Sequence, residues 1–301
     1  MNAATTKLSA GIDVGSSAIK VAVMRTDGEG GEELVSGRSE RTRRREPEPV
    51  ARGLFDSVLA DSGVAEEDLA YIATTGEGEV IGFRSGHFYG MTTHARGARF
   101  LDPEADACID VGALHARAIL MDERAKVLGY RMTSQCASGS GQFLENISRY
   151  LGVTMGEIGA LSLEADEPEE CSSICAVLAE TDVINMVSRG IATANILKGI
   201  HLSMAGRYVK LLNSAKARSV VLVTGGLASD VGLMAAMREL ASLKDVPYEI
   251  RTHADSALAG AIGAGLWGAF RARKMERLGV TLAAAGSGAS GGSGASVGAG
   301  A

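Results

Sequence analysis

The amino-acid sequence predicts an α/β fold of two lobes, the second of which repeats the plan of the first. Residues 8–24 and 107–121 carry this prediction, because in each an apolar strand ends in Asp-Val-Gly, a short turn follows, and a second strand returns. A further apolar strand over 219–224 has the composition of a strand buried in a parallel sheet, and Gly225-Gly226 follows it directly. Repetition on this scale indicates an internal duplication.

The remaining elements follow from shorter patterns along the chain. After a Gly-rich turn over 27–31 we expect a strand over 33–36, then a helix over 50–62 and a short strand over 71–75. In the second half we expect a strand after residue 126, a helix ending near residue 151, and helices over 155–163, 176–189, 196–212, 231–243 and 254–273.

The closing helix is rich in glycine, at Gly260, Gly263 and Gly265, which indicates close helix packing. We place the first lobe at 8–100 together with 252–275, and the second at 101–251. The segment 280–301 is almost wholly Gly, Ala and Ser, so it has little to bury and is expected to be disordered.

Composition limits the class of protein. With 46% hydrophobic and 22% charged residues, the chain reads as a globular protein of one large or two medium domains, and its net charge of −6 argues against a nucleic-acid partner. The basic run 41–45 precedes a segment of Pro and Glu and is interpreted as a solvated loop. No apolar stretch approaches the roughly 18 residues of a membrane span, and residues 1–10 do not resemble a secretory signal, which together predict a cytoplasmic location.

The first hairpin turn has the chemistry of a phosphate site. Gly15, Ser16 and Ser17 offer backbone N–H groups and hydroxyls without Cβ crowding. Asp13 and Asp110, at the ends of the two equivalent strands, are candidate Mg²⁺ ligands acting through water, because Mg²⁺ prefers few carboxylates together with phosphate oxygens. A plain hairpin is the alternative for either turn taken alone. Neither a Walker loop nor a dinucleotide fingerprint is present.

Two cysteines lie at the starts of predicted helices. Cys136 and Cys175 adjoin small or hydroxyl residues, where the helix dipole and unpaired N–H groups favour a thiolate, so each is a candidate metal ligand or reactive group. Packing in the core is the alternative for either one alone. We expect Cys108 to pack in the core and Cys171 to be a bystander rather than a spare ligand. The five histidines form no ligand-spaced set.

Taken together, the three glycine-bearing turns resemble the nucleotide-binding motifs of a known superfamily. Asp13-Val14-Gly15, Asp110-Val111-Gly112 and Gly225-Gly226 are similar to the first phosphate, second phosphate and adenosine motifs of the superfamily of actin, heat-shock chaperone ATPases and sugar kinases. The resemblance implies a duplicated actin-like, ribonuclease-H-like ATPase fold with ATP and Mg²⁺ in the cleft between the lobes. Implied catalytic residues are Asp13 and Asp110, and implied nucleotide-binding residues are Gly15, Ser16, Ser17, Lys20, Gly112, Gly225 and Gly226.

The cysteine motifs narrow the resemblance. Segments 136–145 and 175–184 resemble the family of ATP-dependent activators of 2-hydroxyacyl-CoA dehydratases and ATP-binding subunits of benzoyl-CoA reductase. Residues 94–98 also fit, and 74–79, 108–115 and 186–190 look most similar to the smaller ATP-binding subunit of the reductase. The resemblance implies that Cys136 and Cys175 ligate a [4Fe–4S] cluster. Since such a cluster takes four ligands, the other two would come from a partner subunit.

The family implies a function in energy coupling. ATP hydrolysis would drive a low-potential electron from reduced ferredoxin towards the catalytic subunits that reduce benzoyl-CoA, and a paralogous ATP-binding subunit would share the cluster. One departure stands out: Leu114 occupies the place of a glutamine that positions water in the activators. Either this chain hydrolyses ATP slowly, or His115 or Glu180 assumes the role.

Three alternative functions stay open. The chain could be a homodimeric activator of a 2-hydroxyacyl-CoA dehydratase, although the replacement of the glutamine by Leu114 weighs against this, because a homodimer has no second, intact site. It could be a small-molecule kinase such as an N-acetylglucosamine kinase-like enzyme, which needs a catalytic Asp and no cluster. The third alternative is an assembly subunit that keeps nucleotide only as a structural component.

Overall fold

Two five-stranded sheets of the same plan make up the fold. The computed structural model describes residues 6–133, 140–171 and 176–280. The first sheet contains β1 (Lys7–Val14), β2 (Ala18–Thr26), β3 (Glu32–Arg41), β4 (Leu69–Gly76) and β5 (Gly86–His87). The second contains β6 (Ala107–Val111), β7 (Ala116–Met121), β8 (Val127–Met132), β9 (Ser219–Thr224) and β10 (Tyr248–Arg251).

The strand orders β3-β2-β1-β4-β5 and β8-β7-β6-β9-β10 correspond strand for strand. In each sheet the first three strands in the chain form an antiparallel meander, and the last two add in parallel beyond its first strand. The predicted duplication and both hairpins are therefore confirmed, and β9 lies between parallel neighbours as its apolar sequence indicated.

Eight α-helices connect and cover the sheets in the described part of the chain. They are α1 (Pro47–Ser62), α2 (Gly90–Leu101), α3 (Gly141–Leu151), α4 (Ile158–Leu163), α5 (Ala176–Ser188), α6 (Thr193–Ala215), α7 (Val231–Leu243) and α8 (Ala259–Arg277). Local chemistry sets several of their ends. Proline occupies the first turn of α1 and left-handed Gly63 ends it, and the Asp230 carboxylate accepts two backbone N–H groups at the start of α7.

The sequence missed three of these elements. Neither β5 nor β10 was predicted, because strands of two and four residues are too short for an alternating pattern. Helix α2 was also missed, since its first turns, Gly-Met-Thr-Thr-His, have weak helix propensity and packing decides their conformation. Strand β3 extends beyond the predicted 33–36, and α4 is shorter than the predicted 155–163. Of the tail predicted over 280–301, residues 281–301 lie outside the described residues.

Helices α2 and α8 lie between the two sheets. Ala95 of α2 packs with Cys108 of the second sheet, whereas Ile262 of α8 packs with Met24 of the first. The two helices meet at glycines: a Cβ on Gly97 would overlap the Ala259 carbonyl group, and one on Gly263 would overlap that of Thr93. The close packing predicted for the closing helix is thus confirmed, and its partner is α2, the helix that also packs against the second sheet.

The described part of the chain contains no helix that is long and apolar enough to span a membrane. Cys108 has no exposed surface, as expected of a core residue, and burial raises the pKa of its thiol well above the ordinary value.

Candidate functional site

A cleft of about 640 Å³ opens between the two halves. Its walls include the turn after β1, the turn after β6 and the loop after β9. Asp13 and Asp110, the candidate catalytic residues, both line it and are only 6% and 4% exposed. Two strand-end carboxylates that are far apart in the sequence therefore face one space, because equivalent strand ends of the two sheets border the cleft.

The two turns have the same backbone geometry. The Gly15 N–H donates to the Ala18 carbonyl oxygen at 3.0 Å, and the Gly112 N–H donates to the His115 carbonyl oxygen at 3.1 Å. Each turn joins two antiparallel strands at the equivalent position. At Gly15 a Cβ would lie 3.0 Å from the Ala18 carbonyl oxygen and 3.1 Å from Lys20 Nζ, so a larger residue would narrow the space beside the amino group.

Each strand-end carboxylate has a basic partner on the returning strand. Asp13 faces Lys20 in the strand register, and Lys20 Nζ lies 3.1 Å from Asp13 Oδ2. Asp110 faces Arg117, whose Nε and Nη2 donate to Asp110 Oδ2 at 3.0 and 2.5 Å. Lys20 was predicted to be a site residue, but Arg117 was missed, although it stands at the same distance from its aspartate in the repeat.

The surroundings of Asp110 favour its charged form. Burial alone raises its pKa, but His94 and Arg117 outweigh burial and hold the pKa below its ordinary value. Burial also lowers the pKa of His94, against the opposing attraction of Asp110 and Asp13. Burial thus disfavours a charge on His94, and Arg117, which donates twice to Asp110, is the firmer partner of this carboxylate.

The loop after β9 closes the second side of the cleft. Gly226, Leu227 and Ser229 line the space. Gly225 has a positive φ of 88°, and a Cβ there would lie 2.6 Å from Asp110 Oδ1, so only glycine lets the loop pass this carboxylate. The adenosine motif predicted from the sequence thus lies directly beside the second phosphate motif.

Most of the predicted site residues meet in this cleft. Lining it are Asp13, Gly15, Ser16, Ser17, Lys20, Asp110, Gly112 and Gly226, while Gly225 packs against Asp110. Cys136 and Cys175, the predicted cluster ligands, lie outside the described residues. Cys171 is half-buried, and burial together with Asp182 raises the pKa of its thiol to about 11, which opposes thiolate formation. The described residues include no group of three or more His, Cys, Asp or Glu that could hold a metal ion.

The site suits a nucleotide with Mg²⁺. Asp13 and Asp110 pair with their basic partners through Oδ2, and both carboxylates line the cleft. Two carboxylates match the preference of Mg²⁺ for few carboxylates together with water and phosphate oxygens, and the Ser16 and Ser17 hydroxyls can donate to those phosphate oxygens. The open space beside Gly15 is the cradle that a phosphate chain requires, and a Cβ would fill it.

Three further lining residues escaped sequence reasoning. Buried His94 contributes from the helix that was missed. Arg41 and Glu145 line opposite walls, and Arg41 Nη1 lies 3.7 Å from Glu145 Oε1. Residues 41 and 43–45 are exposed, as expected of a solvated loop, but only the structure shows that the first of them reaches the cleft. Long-range proximity of this kind leaves no signal in a single sequence.

The residues considered for water positioning occupy different places. Leu114 and His115 both line the cleft, and Leu114 is 49% exposed. Glu180 is half-buried on α5. The geometry therefore brings His115 but not Glu180 onto the described wall of the cleft.

Comparison with known proteins agrees with this geometry. Residues 10–268, which include both turns and the loop after β9, match the BadF/BadG/BcrA/BcrD ATPase family. The chain belongs to this family. A relative is the D subunit of benzoyl-CoA reductase from Thauera aromatica, which is 58% identical over 273 residues that cover 90% of this chain and 96% of that protein.

Two solved structures of proteins from dehydratase systems share the fold of this chain. The crystal structure of (R)-2-hydroxyglutaryl-CoA dehydratase component A from Acidaminococcus fermentans matches with a TM-score of 0.81 and 29% identity, over 89% of this chain and 99% of that one. The activator of the 2-hydroxyisocaproyl-CoA dehydratase from Clostridium difficile, with bound ADPNP, matches with a TM-score of 0.81 and 27% identity, over 92% of this chain and 100% of that one. The predicted actin-like fold is confirmed.

Proposed function

We propose that this chain is the ATP-binding subunit of a benzoyl-CoA reductase-type complex, in which it couples ATP hydrolysis to delivery of a low-potential electron. The observation that carries the proposal is the 58% identity to the D subunit of benzoyl-CoA reductase, which extends over 96% of that protein. The cleft with two matched turns supports the ATP-binding part. The partners would be catalytic subunits that bind benzoyl-CoA, a paralogous ATP-binding subunit and reduced ferredoxin, all in the cytoplasm.

Each part of the cleft has a role in this proposal. The Gly15 turn and its two hydroxyls would bind the phosphate chain, with Lys20 supplying positive charge, and the Gly112 turn would face them from the other lobe. Asp13 and Asp110 would hold the water shell of Mg²⁺, which neutralises negative charge on the phosphate oxygens. The Gly225-Gly226 loop would pass beneath the adenosine.

The electron-carrying group would be a [4Fe–4S] cluster held by Cys136 and Cys175 together with two cysteines of the partner subunit. Helix α5 begins directly after Cys175 and α3 begins shortly after the segment that contains Cys136, so two helix N-termini are available to offset negative charge. The cluster, when bound, supplies one-electron transfer. A change of angle between the lobes on hydrolysis would alter its exposure, and this is how the two events would be coupled.

Anaerobic purification of the complex with iron and sulfide analysis and EPR tests this proposal. We expect a [4Fe–4S] signal that disappears in Cys136→Ala and Cys175→Ala, while ATP binding to the chain remains. An unchanged cluster signal in both variants would refute the ligand assignment. Cys108→Ala is the matched control, because that thiol is fully buried in strand β6 of the second sheet.

A homodimeric dehydratase activator is the second candidate, favoured by the TM-score of 0.81 to two such activators. Leu114 distinguishes the two candidates, since a homodimer would carry this apolar side chain in both of its sites. ATP turnover by the isolated chain, as fast as in an activator, would support the second candidate. Slow turnover that rises when the paralogous subunit is added would support the first.

A further inference from the structure

One buried imidazole at the bottom of the cleft contacts both halves of the molecule. His94 belongs to α2 and is 4% exposed. Its Nδ1 lies 3.0 Å from Thr224 Oγ1, at the end of β9, and 3.7 Å from Asp110 Oδ1, at the end of β6. The ring is therefore tied to a hydroxyl and lies close to a carboxylate, both on the second sheet.

The opposite edge of the ring faces the first sheet. A Cβ on Gly260 would lie 2.9 Å from His94 Nε2 and 2.9 Å from Asp13 Oδ2, so these two atoms border one small gap that only glycine leaves open. Helix α8, which carries Gly260, packs on the first sheet. His94 consequently lies near both strand-end carboxylates, with Nδ1 3.7 Å from Asp110 Oδ1 and Nε2 bordering the same gap as Asp13 Oδ2.

His94 lies where the two lobes meet, because its helix belongs to the first lobe and its partner Thr224 belongs to the second. Its helix meets α8 at Gly97 and Gly263, where the backbones are too close for any side chain. Tightly packed helices transmit displacement because a packed contact resists continuous deformation. Because α2 is packed tightly on α8, a movement of the second sheet relative to these two helices would change the contact between His94 and Thr224.

We propose that His94 is a positioning residue that fixes Asp13 and Asp110 relative to each other, through its bond to Thr224. The inference rests on the proposed function, since the two carboxylates act together only if Mg²⁺ and nucleotide occupy the cleft. His94 need not touch the nucleotide in this role. Loss of the bond would let the two carboxylates separate, and the Mg²⁺-dependent part of nucleotide binding would weaken while Mg²⁺-independent contacts remain.

The test measures ATP binding to the full-length chain by equilibrium dialysis, with and without Mg²⁺. Thr224→Val removes the hydroxyl without changing the shape of the side chain, and His94→Gln moves the polar group away from the Nδ1 position. In both variants we expect the Mg²⁺ concentration that gives half of the maximal increase in ATP binding to rise about tenfold, as the loss of one buried hydrogen bond predicts. The affinity for ATP without Mg²⁺ should stay unchanged. His94→Asn places an amide near the Nδ1 position and is expected to restore most of the Mg²⁺ response.

A matched control comes from His201. Its Nδ1 lies 2.9 Å from Ser162 Oγ and the ring has no exposed surface, but both residues belong to the second lobe. His201→Asn is expected to lower stability and to leave the Mg²⁺ response as it is. A Mg²⁺ response like that of the wild type in folded Thr224→Val, or an equal loss of Mg²⁺-free affinity, would overturn the inference. A wild-type chain that binds no ATP at all would instead refute the proposed function.

Discussion

The turn after β1 and the turn after β6 have the same backbone and different chemistry. Both close with the same N–H to carbonyl bond, and both place a basic residue opposite the strand-end aspartate. The first turn carries Ser16 and Ser17, whereas the second carries Ala113 and the half-exposed Leu114. The two lobes thus share the charges and the backbone path, while the turn carries hydroxyl groups in only one of them.

The basic partners also differ in strength. Lys20 gives Asp13 a single contact at 3.1 Å, whereas Arg117 gives Asp110 two, at 3.0 and 2.5 Å. A guanidinium that donates twice holds a carboxylate more firmly than an ammonium does. The second aspartate is therefore the more firmly held, and its removal should cost more.

The largest difference between the lobes is expected from Asp110→Asn and Asp13→Asn. Asp110→Asn leaves the Arg117 charge without its partner, so we expect a loss of about 3 kcal/mol in the free energy of unfolding. Asp13→Asn should cost about 1.5 kcal/mol, as for one bond to a charged group. Urea denaturation of both variants measures the difference. Equal losses would show that the second arginine contact adds nothing.

Acidification offers a second measure of the same contact. Because the pKa of Asp110 is lowered in the folded state, its contribution to stability is present above the unfolded pKa of about 3.9 and is lost as pH falls through the folded value. The wild-type chain should therefore lose stability below about pH 4, and Asp110→Asn should lose less over the same interval. Urea midpoints measured from pH 5 to pH 2.5 give both slopes. If the stability of both proteins fell equally with pH, the contribution assigned to the Asp110 carboxylate would be wrong.

A smaller difference is expected from Gly15→Ala and Gly112→Ala. A Cβ at Gly15 would be 3.0 Å from a carbonyl oxygen and would enter the space beside Lys20, whereas at Gly112 the nearest atom is 3.3 Å away. We expect ATP affinity to fall about tenfold in the first variant and about twofold in the second, since a few tenths of an ångström decide whether the phosphate can approach. Isothermal titration at one Mg²⁺ concentration compares them. A larger effect at Gly112 would reverse the roles assigned to the turns.

Whether the sequence predicted a part of this site depends on how far apart the contacting residues are along the chain. Asp13, Gly15 and Lys20 belong to one hairpin, in which every contact joins residues that are close in the sequence. Their arrangement could therefore be predicted from the sequence. His94 is different, because its partner Thr224 is 130 residues away and its helix has weak propensity. The contact between Arg41 and Glu145 is equally remote in sequence. Arg117 was predictable in principle, since the repeat places it where Lys20 stands.

The smallest effect tests the divergence of the second turn directly. Leu114→Gln introduces the glutamine that the family resemblance leads us to expect at this position, and Leu114 already lines the cleft with 49% exposure, so the exchange needs no repacking. If the apolar side chain limits hydrolysis, ATP turnover by the isolated chain should rise several-fold with little change in ATP affinity, because a positioned water lowers the barrier without adding a contact to bound nucleotide. Leu114→Met is the control, since it keeps the side chain apolar. An equal rise of turnover in both variants would show that the shape of the turn causes the effect. Unchanged turnover in Leu114→Gln, together with lower turnover in His115→Ala, would assign water positioning to the imidazole of His115.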